Sequence, residues 1–262
     1  MLPTRAQVTP RPRLLARLAD GAQRKLTLIS APAGFGKTTL VTSWLNQKGS
    51  GGSTEDGSSQ ALLQLSSPSL HPCKVAWLSL DDSDDNPARF WTYVINALQT
   101  VQPELGRRTL DFLAEPQPPN LDTALTFLLN DMATCPASLI LVLDDYHVIN
   151  DDAIHNSLAF LLDHLPPQLR LVIISRIDPP LPLPRLRARN QLNEFRVDDL
   201  RFTAAEAASF LNQTMGLSLS PQDVAALDAR TEGWVAGLQL AAVSMQGRSD
   251  VSDFIATFTG SH

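Results

Sequence analysis

Short, largely apolar runs recur along the first part of the chain, and between them apolar residues fall three and four apart. The runs at residues 25–30, 75–80, 139–143 and 171–175 read as strands buried on both faces. A fifth strand is predicted at 194–197. Residues 12–18 predict a helix, with Pro12 in its first turn and Leu14, Leu15 and Leu18 on one side. Further helices are predicted from Lys37 to Leu45 and over 88–100, 121–132 and 153–162. Asn86 and Pro87 form the cap and first turn of the second of these. Prolines 179, 180, 182 and 184 predict an extended loop. Beyond about residue 200 no apolar strand recurs, and 203–212, 221–231 and 234–245 all carry helical spacing.

Strands alternating with helices imply a parallel sheet covered on both faces. The expected fold is therefore an α/β core over 1–201, followed by a smaller all-α region over 202–262. Residues 49–72 hold seven serines and four glycines. They predict a flexible surface insertion, with a short helix at 61–65 as the one local alternative.

Composition narrows the function classes. Hydrophobic residues make up 44% of the chain, enough for a large core without disulfides or structural metal. Acidic residues outnumber basic ones by 27 to 21, a net charge of −6, which argues against a chain-wide nucleic-acid surface. Cys73 and Cys135 stand far apart with no metal-ligand spacing, so a reducing, cytoplasmic setting is expected. The early residues lack the apolar core of a secretory signal, and no apolar run is long enough to cross a bilayer.

The first candidate chemistry lies between the 25–30 strand and the Lys37 helix. Ala31-Pro32-Ala33-Gly34-Phe35-Gly36-Lys37-Thr38-Thr39 matches the phosphate-loop pattern GxxxxGK[ST], except that alanine replaces the first glycine. Gly34 and Gly36 let the backbone turn its N–H groups onto phosphate oxygens, and the helix start adds positive potential. Ala33, Gly34, Phe35, Gly36, Lys37, Thr38 and Thr39 are thus the candidate nucleotide contacts. Lys37 would reach the β- and γ-phosphates, and Thr38 would offer a hydroxyl to Mg²⁺.

Asp144 and Asp145 follow the apolar run ending at Leu143. Ligands of such sheets bind at the carboxyl ends of the strands. Asp144 is expected to hold Mg²⁺ through water, and Asp145 to orient or deprotonate the attacking water. Arg176, at the end of the 171–175 strand, is a candidate sensor of the γ-phosphate or of transition-state charge. ATP or ADP with Mg²⁺ is the expected ligand.

In order and spacing, SAPAGFGKTTL, VAWLSLDDSDDNPARFWTYVI, LVLDDYHVI, IISR, LRARNQLNEFRVDDLRFT and TEGWVAGLQLAA resemble the large ATP-dependent LuxR-type transcriptional regulators. These belong to the STAND class of signalling P-loop ATPases. The resemblance runs from about residue 8 onward, apart from 49–72. It implies a nucleotide-driven switch with slow hydrolysis and self-association in the ATP state. It also implies an inducer sensor and a DNA-binding helix-turn-helix, expected outside this chain, which reads as a fragment or a truncated member. No direct DNA or membrane contact is expected of these residues. By analogy with similar ATPases, the segment before the first strand packs near the nucleobase, which adds Arg11 to the candidate contacts. Related NTPases use a Gly-Leu-Pro-Leu stretch against adenine. Here Gln239 replaces the proline, which favours simple packing by Val235, Leu238 and Ala242. The competing reading is a free-standing ATPase or kinase.

Three other features read as structural. Asp81, Asp82, Asp84 and Asp85 are expected to cap a turn rather than bind a cation. Arg185, Arg187 and Arg189, on an extended segment, would share one solvated face. His147 is expected to pack.

Overall fold

A computed structural model describes residues 8–49, 73–115, 120–246, 254–255 and 257–258. Five strands form one parallel sheet: β1 (Leu26–Ser30), β2 (Lys74–Ser79), β3 (Leu139–Asp144), β4 (Leu169–Ser175) and β5 (Leu192–Phe195), in the order β2-β3-β4-β1-β5. The expected α/β architecture is present. The fifth strand lies two residues earlier than its apolar pattern suggested.

Alternation explains why the central strands β1, β3 and β4 are buried on both faces. β2, at the sheet edge, is mostly half-buried with Lys74 and Ser79 exposed, contrary to its expected burial. Leu26, Leu28, Leu139, Leu141, Leu143, Leu171 and Ile173 enter the core on one face. Ile29, Ile140, Val142, Val172 and Ile174 enter the core on the other. Side chains alternate along a strand, so helices on both faces demand an apolar residue at nearly every position. The first face is covered by α3 (Pro87–Gln99), α5 (Leu121–Ala133) and α6 (Asp152–His164), through Phe90, Trp91, Leu128 and Leu158. The second is covered by α1 (Pro12–Asp20) and α2 (Lys37–Gly49), through Leu14, Leu18, Val41 and Trp44. Asn86 caps α3 by accepting from the Arg89 N–H, with Pro87 next to it as expected.

Several short helices lie outside the predicted pattern, two of them with a clear physical reason. α4 (Arg107–Leu113) follows Gly106 at φ 69°, and its 7 residues span fewer than two full turns, too few for apolar spacing to stand out. The segment after Pro182 is not extended. It forms α7 (Leu183–Ala188), because a proline in the first turn needs no N–H partner there. The three arginines therefore do not share a face. Arg185 pairs with Asp163, Arg187 pairs with Glu194, and Arg189 follows the helix end.

The acidic cluster is a cap. Asp81 accepts from the Ser83 N–H, Asp84 accepts from the Asp81 N–H, and Asp85 accepts from the Asn150 and Asp151 N–H groups. No grouping of three or more metal-ligating side chains occurs among the described residues. No helix among them is long and apolar enough to cross a membrane. The suggested 61–65 helix falls outside the described residues.

After β5 and α8 (Val197–Leu200) come α9 (Ala204–Ser209), a π-turn at Phe210–Thr214, α10 (Pro221–Thr231) and α11 (Val235–Met245). Phe202, Leu211, Leu227, Leu238 and Ala242 form a core of their own here. Thr203 with Glu206, and Ser220 with Asp223, make reciprocal caps at the starts of α9 and α10.

Candidate nucleotide site

The loop between β1 and α2 holds Gly34 at φ 82° and Gly36 at φ 71°, a region open to glycine at little cost. A Cβ on Gly36 would meet nothing within 4 Å. Phe35 is fully buried beside Leu40 and Val41, which fastens the loop to the start of α2. At that start the first N–H groups have no intrahelical acceptor, as at any helix N-terminus. The Gly34 and Gly36 N–H groups take no hydrogen bond among the described residues.

Lys37 folds back under its own loop, donating from Nζ to the carbonyls of Ala31 at 2.7 Å and Pro32 at 2.8 Å. Burial lowers its pKa, and Arg176 lowers it further, against the attraction of Asp145 and Asp144. Thr38 Oγ1 donates to Asp144, at 3.1 Å from Oδ2 and 3.3 Å from Oδ1. Asp144 is buried at the end of β3. Burial raises its pKa, the neighbouring Asp145 raises it further, and bonds from Thr38 and the Asp145 N–H oppose them.

Asp145 stands at φ 57°, ψ 34°, a left-handed conformation that aspartate tolerates better than most residues. The turn leaves its carboxylate half exposed, with His147 Nδ1 3.8 Å from its Oδ1. His147 is therefore part of the mouth as well as a packing residue. Its pKa is lowered first by burial and next by Arg176. β4 lies between β1 and β3, so Arg176, exposed just past Ser175, falls between the phosphate loop and Asp144. A hollow of about 240 Å³ adjoins this mouth, lined in part by His147, Ser175, Ile177 and Asp178.

Fold and local chemistry thus bring Gly34, Gly36, Lys37, Thr38, Asp144, Asp145 and Arg176 to the carboxyl ends of three adjacent strands. Arg11 is committed elsewhere. Its buried guanidinium donates to the Arg201 carbonyl at 2.8 Å, pairs with Glu206 at 3.3 Å and lies over the Phe202 ring. Burial lowers its pKa, with Glu206 opposing. Gln239 is exposed on α11, while Leu238 is buried in the helical core.

Trp234 and Ala236, which the motif reading left out of the site, touch the loop directly. Trp234 Nε1 donates to the Ala33 carbonyl at 3.1 Å, and the Ala236 N–H donates to the Gly34 carbonyl at 3.0 Å. The resemblance of 237–240 to an adenine-contacting stretch hinted at this region, but no spacing in the sequence signals contacts of Trp234 and Ala236 with the loop some two hundred positions away.

Two structures from archaea share this fold over nearly the whole chain. The Walker-type ATPase PABY2304 of Pyrococcus abyssi aligns with 96% of this chain and 71% of its own, at TM-score 0.54 and 11% identity. PH0952 of Pyrococcus horikoshii, a STAND protein with a tetratricopeptide-repeat sensor, aligns with 97% of this chain and 32% of its own, at TM-score 0.55 and 16% identity. At such identities the likeness concerns the fold. In sequence, 243 residues are 37% identical to the HTH-type transcriptional regulator MalT of Serratia proteamaculans, and 35% identical to that of Yersinia enterocolitica. This covers 92% of the chain. The chain is similar in sequence to a segment of the MalT regulators and has a P-loop NTPase fold. It spans about a quarter (24%) of the length of these regulators. It matches no protein-family model.

Proposed function

We propose that this chain is the ATP-binding switch module of a cytoplasmic transcription regulator, with a nucleotide-binding core to residue 201 and a helical region from 202. The observation that carries the reading is the Thr38–Asp144 hydrogen bond. It joins the end of the phosphate loop to the end of β3, where a hydrated Mg²⁺ would have both groups within reach. The residues suit a nucleotide: two glycines in left-handed conformation, orphan helix N–H groups and one buried lysine.

In this reading the loop from Ala33 to Thr39 holds the phosphates, and Lys37 exchanges its two carbonyls for phosphate oxygens. Mg²⁺ bound at Thr38 and Asp144 would neutralise phosphate charge. Asp145, exposed and turned outward, orients the attacking water. Arg176 faces the position that only a triphosphate fills. The reading does not place Arg11 on the nucleotide. Its geometry favours a role in fastening the helical region to the core.

The whole regulator's inducer, DNA contact and self-association are proposed to involve the parts of the relatives that this chain does not span, with the ATP state favouring association. Hydrolysis is slow and resets the switch, on the order of 10⁻³ per second as in unassisted GTPase switches. Calorimetry with ATP and ADP, with and without Mg²⁺, together with phosphate release, tests the reading. It expects both nucleotides to bind, Mg²⁺ to strengthen ATP binding, and Arg176→Ala to weaken ATP while sparing ADP. Absence of binding, or turnover of several per second, would overturn it.

A further inference from the structure

Gly34 and Gly237 both make room for the start of α11. A Cβ on Gly34 would stand 2.6 Å from Trp234 Nε1 and 2.6 Å from the Ala236 Cβ. A Cβ on Gly237 would stand 2.7 Å from Cε3 of the same indole. The ring therefore rests against the phosphate loop at one side and its own helix at the other. From there Trp234 and Ala236 hold the carbonyls of Ala33 and Gly34.

Each of these bonds orients an N–H as well. All described peptides are trans, and in a trans peptide the carbonyl and the N–H point opposite ways. With the Ala33 carbonyl turned toward α11, the Gly34 N–H points away from it. With the Gly34 carbonyl turned toward α11, the Phe35 N–H points away too. These two peptides flank the residue with the widest backbone freedom in the loop.

We propose that Trp234 and Ala236 brace the phosphate loop from behind, holding the Gly34 and Phe35 amides in the orientation that receives phosphate. This rests on the nucleotide-binding reading above and deepens it. Trp234 is a positioning residue, which acts through the loop. The brace ties phosphate affinity to the seat of the helical region. When α11 leaves, two loop peptides are released, and bound phosphate in turn favours the seated α11, since such coupling is reciprocal.

The test compares the whole chain with its Trp234→Phe variant, which keeps a ring and removes the donor. ADP binding is measured by calorimetry, nucleotide-free stability by urea unfolding, and the Ala236 amide by hydrogen exchange with and without ADP. The expected result is ADP affinity roughly 3- to 10-fold lower with an unfolding midpoint close to that of the parent. ADP should slow Ala236 exchange in the parent and slow it much less in the variant. Leu240→Ser, on the exposed side of the same helix, should bind ADP as the parent does. Equal ADP affinity in the parent and Trp234→Phe would overturn the brace and leave the nucleotide reading standing. A parent that binds no ADP would end both.

Discussion

Thr38 and Asp144 meet across 106 residues of sequence, hydroxyl to carboxylate, at 3.1 Å. The contact brings the end of the phosphate loop against a carboxylate that burial keeps reluctant to ionise. A carboxylate whose folded pKa is raised favours the fold most below its unfolded pKa, near 3.9, and that contribution is lost as pH rises through the folded value. Asp144→Asn keeps the shape and an acceptor for Thr38. Its nucleotide-free unfolding midpoint at pH 7.5 should equal or exceed that of the parent, while Mg²⁺-dependent ATP affinity falls roughly tenfold or more. A clear loss of nucleotide-free stability would show that Asp144 is held ionised by something stronger than Thr38.

Lys37→Met should abolish measurable nucleotide binding, a loss on the order of 100-fold, with the fold retained. The lysine's two bonds are to loop carbonyls near its own helix, one on exposed Pro32 and one on buried Ala31, so their loss costs some stability without removing any core apolar contact. Titration with a fluorescent ADP analogue, beside circular dichroism, separates the two effects. Retained affinity would reject the loop as a phosphate site.

Arg11→Ala should loosen the helical region from the core. The guanidinium and Glu206 are both largely buried, and Glu206 also accepts from the Thr203 N–H at the start of α9. Removing the cation leaves a buried carboxylate partly compensated, at a cost of about 2–3 kcal/mol. Limited proteolysis should cut the variant earlier than the parent between 200 and 206. An unchanged cleavage pattern would assign the docking to the apolar contacts alone.

Stability should fall as pH drops below about 6.5. His155 is buried on α6, with its Nδ1 2.9 Å from the Tyr146 hydroxyl, and burial lowers its pKa. The unfolded chain then takes up the proton first, so stability is full above the unfolded pKa and declines as pH falls toward the folded one. His147 acts in the same direction. Thermal midpoints at pH 7.5 and 5.5 should differ in the parent and differ less in His155→Gln, where only the His147 contribution remains. An equal slope in both would place the titration elsewhere.

Chain order alone determined the alternation of strand and helix, the phosphate loop and the acidic strand end. Each is a local signal: an apolar run, a glycine pair before lysine and threonine, two aspartates after Leu143. The caps at Asn86 and Pro87 were legible for the same reason, since a cap and the helix it begins are neighbours. Short elements were not legible, because α4 and α7 span fewer than two full turns, and prolines that can start a helix can equally extend a loop. Only the tertiary structure decided which strand separates β1 from β3, and so where Arg176 stands. It also sent Arg11 to Glu206 and set Trp234 against Ala33. Those pairings join residues about two hundred positions apart, and no periodicity or spacing encodes them. They arise where two apolar cores meet and each buried polar group at the seam must find a partner across it.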